Sequence, residues 1–118
     1  MSKTYTQLYV HIVFSVRYRQ KLIPDQLREN LHKYITGIIT KRDQKLIAVN
    51  SVDDHIHILV AYKPGCSISD LVRDIKAGSS NFINKNNLIN GQFNWQEGFG
   101  AFSCSKSQIK QVAGYIDN

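Results

Sequence analysis

The sequence predicts a single α+β domain, and three observations predict it. Residues Leu8 to Val16 (LYVHIVFSV) alternate strictly between an inner set and an outer set, as a half-buried strand does. Two later stretches, starting near Leu27 and near Ile68, carry apolar residues at helical spacing. The order of elements reads β-α-β-β-α-β-α. At 118 residues, 42% of them hydrophobic and 20% charged, the chain has the composition of one globular domain and no room for a second core.

In the first strand Leu8, Val10, Ile12, Phe14 and Val16 share one face, and Tyr9, His11, Val13 and Ser15 the other. A basic turn with an aromatic inside it follows, Arg17-Tyr18-Arg19-Gln20-Lys21. Pro24 and Asp25 suit the start of a helix, because proline tolerates the first turn and an acid complements the helix dipole there. Leu27, Leu31, Tyr34, Ile35, Ile38 and Ile39 form its stripe, down to about Lys41. Lys45 to Val52 reads as a second strand and His55 to Tyr62 as a third, joined tightly through Asp53-Asp54 as an antiparallel hairpin. Pro64-Gly65 ends that pattern. Ser67, with Asp70 three residues on, opens a second helix burying Ile68, Leu71, Val72, Ile75 and Phe82, with Arg73, Lys76 and Gly78-Ser79-Ser80 on its other face. Asn84 to Gly91 reads as a turn. Phe93, Trp95, Phe99 and Phe102 mark a fourth extended segment interrupted at Gly98 and Gly100. Ser105 or Ser107 caps a last helix with the stripe Ile109, Val112, Ala113 and Ile116, and Tyr115 falls at its edge.

The first six elements match the ferredoxin-like split βαβ topology, a four-stranded antiparallel sheet with both crossover helices on one face. The expectation is one domain over 1–118, with a C-terminal helix from about 105 that stops short at 118. In this layout strands one and three are central neighbours. Val10, Ile12 and Phe14 would then face the helices with Ile56, Ile58 and Val60, and His11 would share the uncovered face with His55 and His57.

The formal net charge of +6 and pI of about 9.4 favour a polyanionic partner, nucleic acid before an anionic membrane. Cys66 and Cys104 lie far apart, which argues against a zinc ribbon or a redox pair. No apolar run approaches a membrane span and no signal-peptide segment opens the chain, so a soluble intracellular protein is expected. No Walker-type phosphate loop is present.

The chemistry-bearing residues each admit a plain reading. Two histidines one residue apart on a strand stand side by side, which is half of a metal site, but such a pair is more often a solvated sheet face. An aromatic at the edge of a helical stripe usually packs. A tyrosine is also a nucleophile able to form a covalent intermediate, provided a neighbouring cation or base helps a hydroxyl whose ordinary pKa is about 10. Arg17, Arg19 and Lys21, like Arg73 and Lys76, read as solvated charges or as phosphate contacts. Tyr18, Trp95 and Phe99 read as base-stacking groups or, for the last two, more simply as core.

Taken together these pieces resemble a known family from end to end. Asp54-His55-Ile56-His57-Ile58-Leu59 lies about sixty residues before Tyr115-Ile116, and His11-Ile12-Val13-Phe14, the basic turn, Ile75-Lys76-Ala77-Gly78-Ser79-Ser80 and Trp95 to Ser103 accompany it. The set resembles the single-tyrosine HUH transposases of small insertion sequences, and the related transposases associated with repetitive extragenic palindromes (REP). The resemblance implies metal-dependent cleavage and rejoining of single-stranded DNA beside hairpins. His55 and His57 would be ligands of Mg²⁺ or Mn²⁺, and Tyr115 the nucleophile that becomes a 5′-phosphotyrosine. A glutamine four residues after the tyrosine completes the metal site in that family, one position beyond Asn118. The resemblance also implies a homodimer with each tyrosine helix at the partner's histidines, so that cleavage occurs in trans. It implies a cytoplasmic, nucleoid-associated prokaryotic protein without a membrane partner. His11, Arg17, Arg19, Lys21, Arg73 and Lys76 would contact DNA. The competing expectation is a non-catalytic or domesticated single-stranded nucleic-acid-binding module. Such a module would carry aromatics where strands one and three here carry His11, His55 and His57.

Overall fold

A computed structural model describes residues 8–118. Four strands, β1 (Leu8–Ser15), β2 (Lys45–Ser51), β3 (His55–Tyr62) and β4 (Gly100–Cys104), form one antiparallel sheet in the order β2-β3-β1-β4. Three helices accompany it: α1 (Asp25–Lys41), α2 (Ile68–Lys85) and α3 (Ile109–Asp117). The expected topology and the central pairing of β1 with β3 are both present, with Val13 opposite His57 and Ser15 opposite His55. No helix is long and apolar enough to cross a membrane among the described residues.

The main core lies between the sheet and the α1–α2 layer. Alternation puts Ile12 and Phe14 of β1 and Ile56, Ile58 and Val60 of β3 into it, each at most 2% exposed. Leu27, Leu31, Ile35 and Ile39 recur every four residues on α1 and close it from above. Full burial of each such side chain contributes about 1.5–3 kcal/mol, so this face fixes the register of both central strands. Ser67 caps α2 as expected, its Oγ accepting from the Asp70 amide at 3.0 Å.

Four expectations change. The fourth strand is confined to Gly100–Cys104; Phe93 and Trp95 belong to an irregular segment before it, where Trp95 makes one isolated bridge to Val16. Asn84 is not turn but the end of α2, and its side chain pins that segment by exchanging two hydrogen bonds with the Phe93 backbone, at 2.8 and 2.9 Å. On α2 the buried set is Leu71, Val72, Ile75, Ser79 and Ile83, while Ile68 and Phe82 are only half-buried. Ser79 therefore faces inward, not outward with Gly78 and Ser80. Its hydroxyl donates to the Ile75 carbonyl at 2.6 Å and accepts the Trp95 indole N–H at 2.8 Å. Trp95 stands edge-on to Phe14 and Phe93, so it is a core residue. Replacing Ser79 by alanine leaves a buried N–H without an acceptor, and urea unfolding is expected to show a loss of about 1–3 kcal/mol.

The fourth change concerns the sheet's second face, which is partly covered. A smaller core of Ala48, Leu59 and Ile116, joined by Ile47, Cys104, Ile109, Val112 and Ala113, packs α3 against it. A register shift between Leu46 and Ala48 in β2 brings Ile47 into this cluster.

Candidate functional site

The second face carries the chemistry, at the end of the sheet where β3 begins. His55 and His57 project from β3 with ring centroids 5.0 Å apart. His11 reaches across from β1 and places its Nε2 2.9 Å from the His57 Nδ1, with ring centroids 5.2 Å apart and ring planes 29° apart. The expected gathering of three histidines on one face is thus present. Phe102 of β4 leans on the far side of His11, with centroids 6.1 Å apart.

Asp54 precedes β3 and lies in the turn, so strand alternation does not govern its direction. Its carboxylate folds back onto His55: Oδ1 is 2.7 Å from the His55 Nδ1. Arg19 donates to Oδ2 at 3.2 Å from the basic turn after β1. That turn is held beside the histidines by backbone bonds from Val16 to the Asp54 carbonyl and from Ile23 to the Asp53 carbonyl. The hydrogen bond from His55, and then that from Arg19, hold the Asp54 carboxyl below the usual carboxylate range. Burial lowers His57, with the nearby His11 and His55 adding to it, and burial also lowers His11. Both rings are therefore neutral at pH 7, the form that binds metals.

α3 brings Tyr115 to the same place. Ile116 is buried against the sheet, which turns its neighbour outward: the Tyr115 side chain is 68% exposed and stands perpendicular to His57, with ring centroids 6.0 Å apart. The helix is anchored by Asn50 of β2, whose Nδ2 donates to the Ile116 carbonyl at 2.8 Å. His55, His57, Tyr115, Asn50 and Val52 line one shallow pocket of about 240 Å³. Sequence reasoning passed over Asn50, although the hairpin register places it directly opposite His57 on the same face.

The basic residues divide into two groups. Arg17 and Arg19 border the histidine end of the sheet. Arg17 lies over the ring of the exposed Tyr18, 5.4 Å from its centroid. Lys21 lies further along, lining a separate depression with Leu22 and Asn87. Arg73 and Lys76 sit on α2, across the sheet from the histidines. Arg73 pairs with Asp70 and Asp74 at 3.1 and 3.6 Å. Lys76 donates to the Gln96 and Gly98 carbonyls at 2.8 and 2.6 Å and lies over the Phe14 ring, so it braces the segment before β4.

Whether the residues fit a divalent ion is a question of donors. Two imidazoles, His55 and His57, in one pocket with a tyrosine offer two nitrogen ligands, which would suit Mn²⁺ and leave the remaining positions to oxygen from water or phosphate. Among the described residues no group of three His, Cys, Asp or Glu side chains is arranged to hold an ion.

Known proteins match the chain along nearly its whole length. A family model described as "Transposase IS200 like" matches residues 4–118. The ISDra2 transposase TnpA of Deinococcus radiodurans is 24% identical over 118 residues, covering 95% of this chain and 84% of that protein. A crystal structure of a chain from Deinococcus radiodurans R1 assigned as a transposase superposes with a TM-score of 0.79 at 22% identity, covering 100% of this chain and 97% of that one. A REP-associated tyrosine transposase bound to a REP hairpin superposes at 0.68 and 20% identity, covering 98% and 68%.

Proposed function

The chain belongs to the IS200-like transposase family, and from that premise we propose that it cuts and rejoins single-stranded DNA through a phosphotyrosine on Tyr115. The observation that carries this reading is the placement of an exposed tyrosine ring 6.0 Å from His57, on a helix anchored beside the histidine pair. The Tyr115 hydroxyl attacks a phosphodiester; a new P–O bond forms to tyrosine while the bond to the 3′ oxygen breaks. The phosphotyrosine remains on the 5′ side, and the released 3′ oxygen takes up a proton. One phosphodiester is exchanged for another, so the step is near energy-neutral and needs no nucleotide hydrolysis. His55 and His57 would hold a divalent ion, Mg²⁺ or Mn²⁺, and the chemistry it would supply there is Lewis-acid polarisation of the scissile phosphate. The protein groups orient the strand: Arg17 and Arg19 border the site, and the exposed Tyr18 offers a stacking surface for an unpaired base.

The substrate of this reading is a single strand flanked by a hairpin at the end of a mobile element. A REP-associated relative is itself bound to a hairpin. The protein acts on DNA in the prokaryotic cytoplasm, and as a homodimer whose tyrosine helices are exchanged between copies; the small apolar cluster that seats α3 on β2 and β3 is a surface that an identical helix from a second copy would fit. Incubation with hairpin-bearing single-stranded DNA from its own element ends and Mn²⁺ tests the chemistry. A covalent protein–DNA adduct, seen as a shifted band after denaturation, is expected. DNA retention without an adduct would instead establish a binding module.

A further inference from the structure

We infer that His11 is a positioning residue for the metal pair: its Nε2 accepts the Nδ1–H of His57 and so reserves the His57 Nε2 for the ion. The inference rests on the proposed metal reading of His55 and His57. Two imidazole nitrogens 2.9 Å apart share one proton, and the distance alone leaves its side open. The neighbouring ligand decides it. A carboxylate is only an acceptor, so the His55 Nδ1 must carry the proton it gives to Asp54, and the His55 Nε2 keeps its lone pair. On His57 the Nδ1 is already engaged, 2.9 Å from the His11 Nε2, as the His55 Nδ1 is by Asp54, so the Nε2 of each ring is the nitrogen left for a shared ion and must be free of its proton to bind one. That requires the His57 Nδ1 to donate, and His11 is the acceptor placed to receive it.

The two ligands thus have parallel supports, Asp54 backed by Arg19 for one and His11 backed by Phe102 for the other. Supports of this kind fix the tautomer and ring orientation before the ion arrives. Histidine serves at position 11 because, with its ring plane within 29° of that of His57, it offers an in-plane acceptor nitrogen in a flat ring.

Mn²⁺ titration by calorimetry tests the inference without reference to cleavage. His11→Phe keeps a ring and removes the acceptor, and affinity is expected to fall about 10–100-fold. His11→Gln restores an acceptor oxygen and is expected to recover most of that loss, which a merely space-filling role would not. Wild-type protein loaded with Zn²⁺ and observed by ¹H–¹⁵N NMR should show the His57 Nδ1 protonated and the Nε2 metal-bound. Metal on the His57 Nδ1 or on His11, or wild-type affinity in His11→Phe, overturns the inference and leaves the metal pair standing. Absence of Mn²⁺ and Zn²⁺ binding by the wild type overturns the metal reading itself. The NMR result decides even where a variant fails to fold.

Discussion

Tyr115→Phe is expected to abolish the covalent adduct while leaving the fold and DNA retention intact. The substitution removes one hydroxyl from a ring that is 68% exposed, so stability should change by less than about 0.5 kcal/mol. Ile116, which holds α3 to the sheet, is untouched, and so is the Asn50 bond to its carbonyl. The proposed chemistry, by contrast, loses its nucleophile. Removing the nucleophile of a covalent enzyme typically costs about 10³-fold or more, and an adduct through this side chain cannot form at all. The measurement is a denaturing gel with labelled hairpin DNA, paired with a retention assay on the same samples. Adduct formation by Tyr115→Phe at the wild-type rate would move the nucleophile elsewhere and remove the basis for the proposed function.

What could be read from the sequence was mostly what depends on near neighbours along the chain. Strand alternation put His55 and His57 on one face and Ile56, Ile58 and Val60 on the other, and the buried set agrees. The ferredoxin-like order followed from the succession of elements, and with it the approach of His11 to β3. What escaped depends on partners distant in sequence. The stripe Ile109, Val112 and Ile116 announces an amphipathic helix but not the surface it covers, so the second sheet face was expected to be open. Ser79 looked like part of a small, outward run because its polarity was weighed above its spacing. The series Leu71, Ile75, Ser79 and Ile83 repeats every four residues, and that spacing points inward once Trp95 is known to supply a donor. The direction of Asp54 was not legible for a different reason: it precedes β3 and lies in the turn, where strand alternation does not apply. Asn50 could have been found, since a tight hairpin ending at His55 sets it opposite His57.

His57→Ala is expected to lower metal-dependent cleavage by about 10²–10⁴-fold, the equivalent of several kcal/mol of charge stabilisation at the phosphate. It removes a proposed ligand and also strands His11, whose ring then faces a void where its hydrogen-bond partner stood. Mn²⁺ affinity should fall in parallel, which separates this variant from Tyr115→Phe, whose metal binding should be unchanged. The two defects lie on different elements, β3 and α3, and that allows a stricter test. In the described arrangement α3 rests on its own sheet, with Tyr115 beside the His57 of the same chain. In the proposed exchanged dimer the same groove would receive the partner's helix. Mixing Tyr115→Phe with His57→Ala then creates sites combining an intact tyrosine with intact histidines, and random pairing should restore about a quarter of wild-type cleavage. The restored adduct should be carried by the His57→Ala chain, because only that chain retains the tyrosine. Mixtures no more active than their components would confine each tyrosine to its own chain's histidines. Cleavage would then take place in the arrangement that Asn50 and Ile116 already hold together.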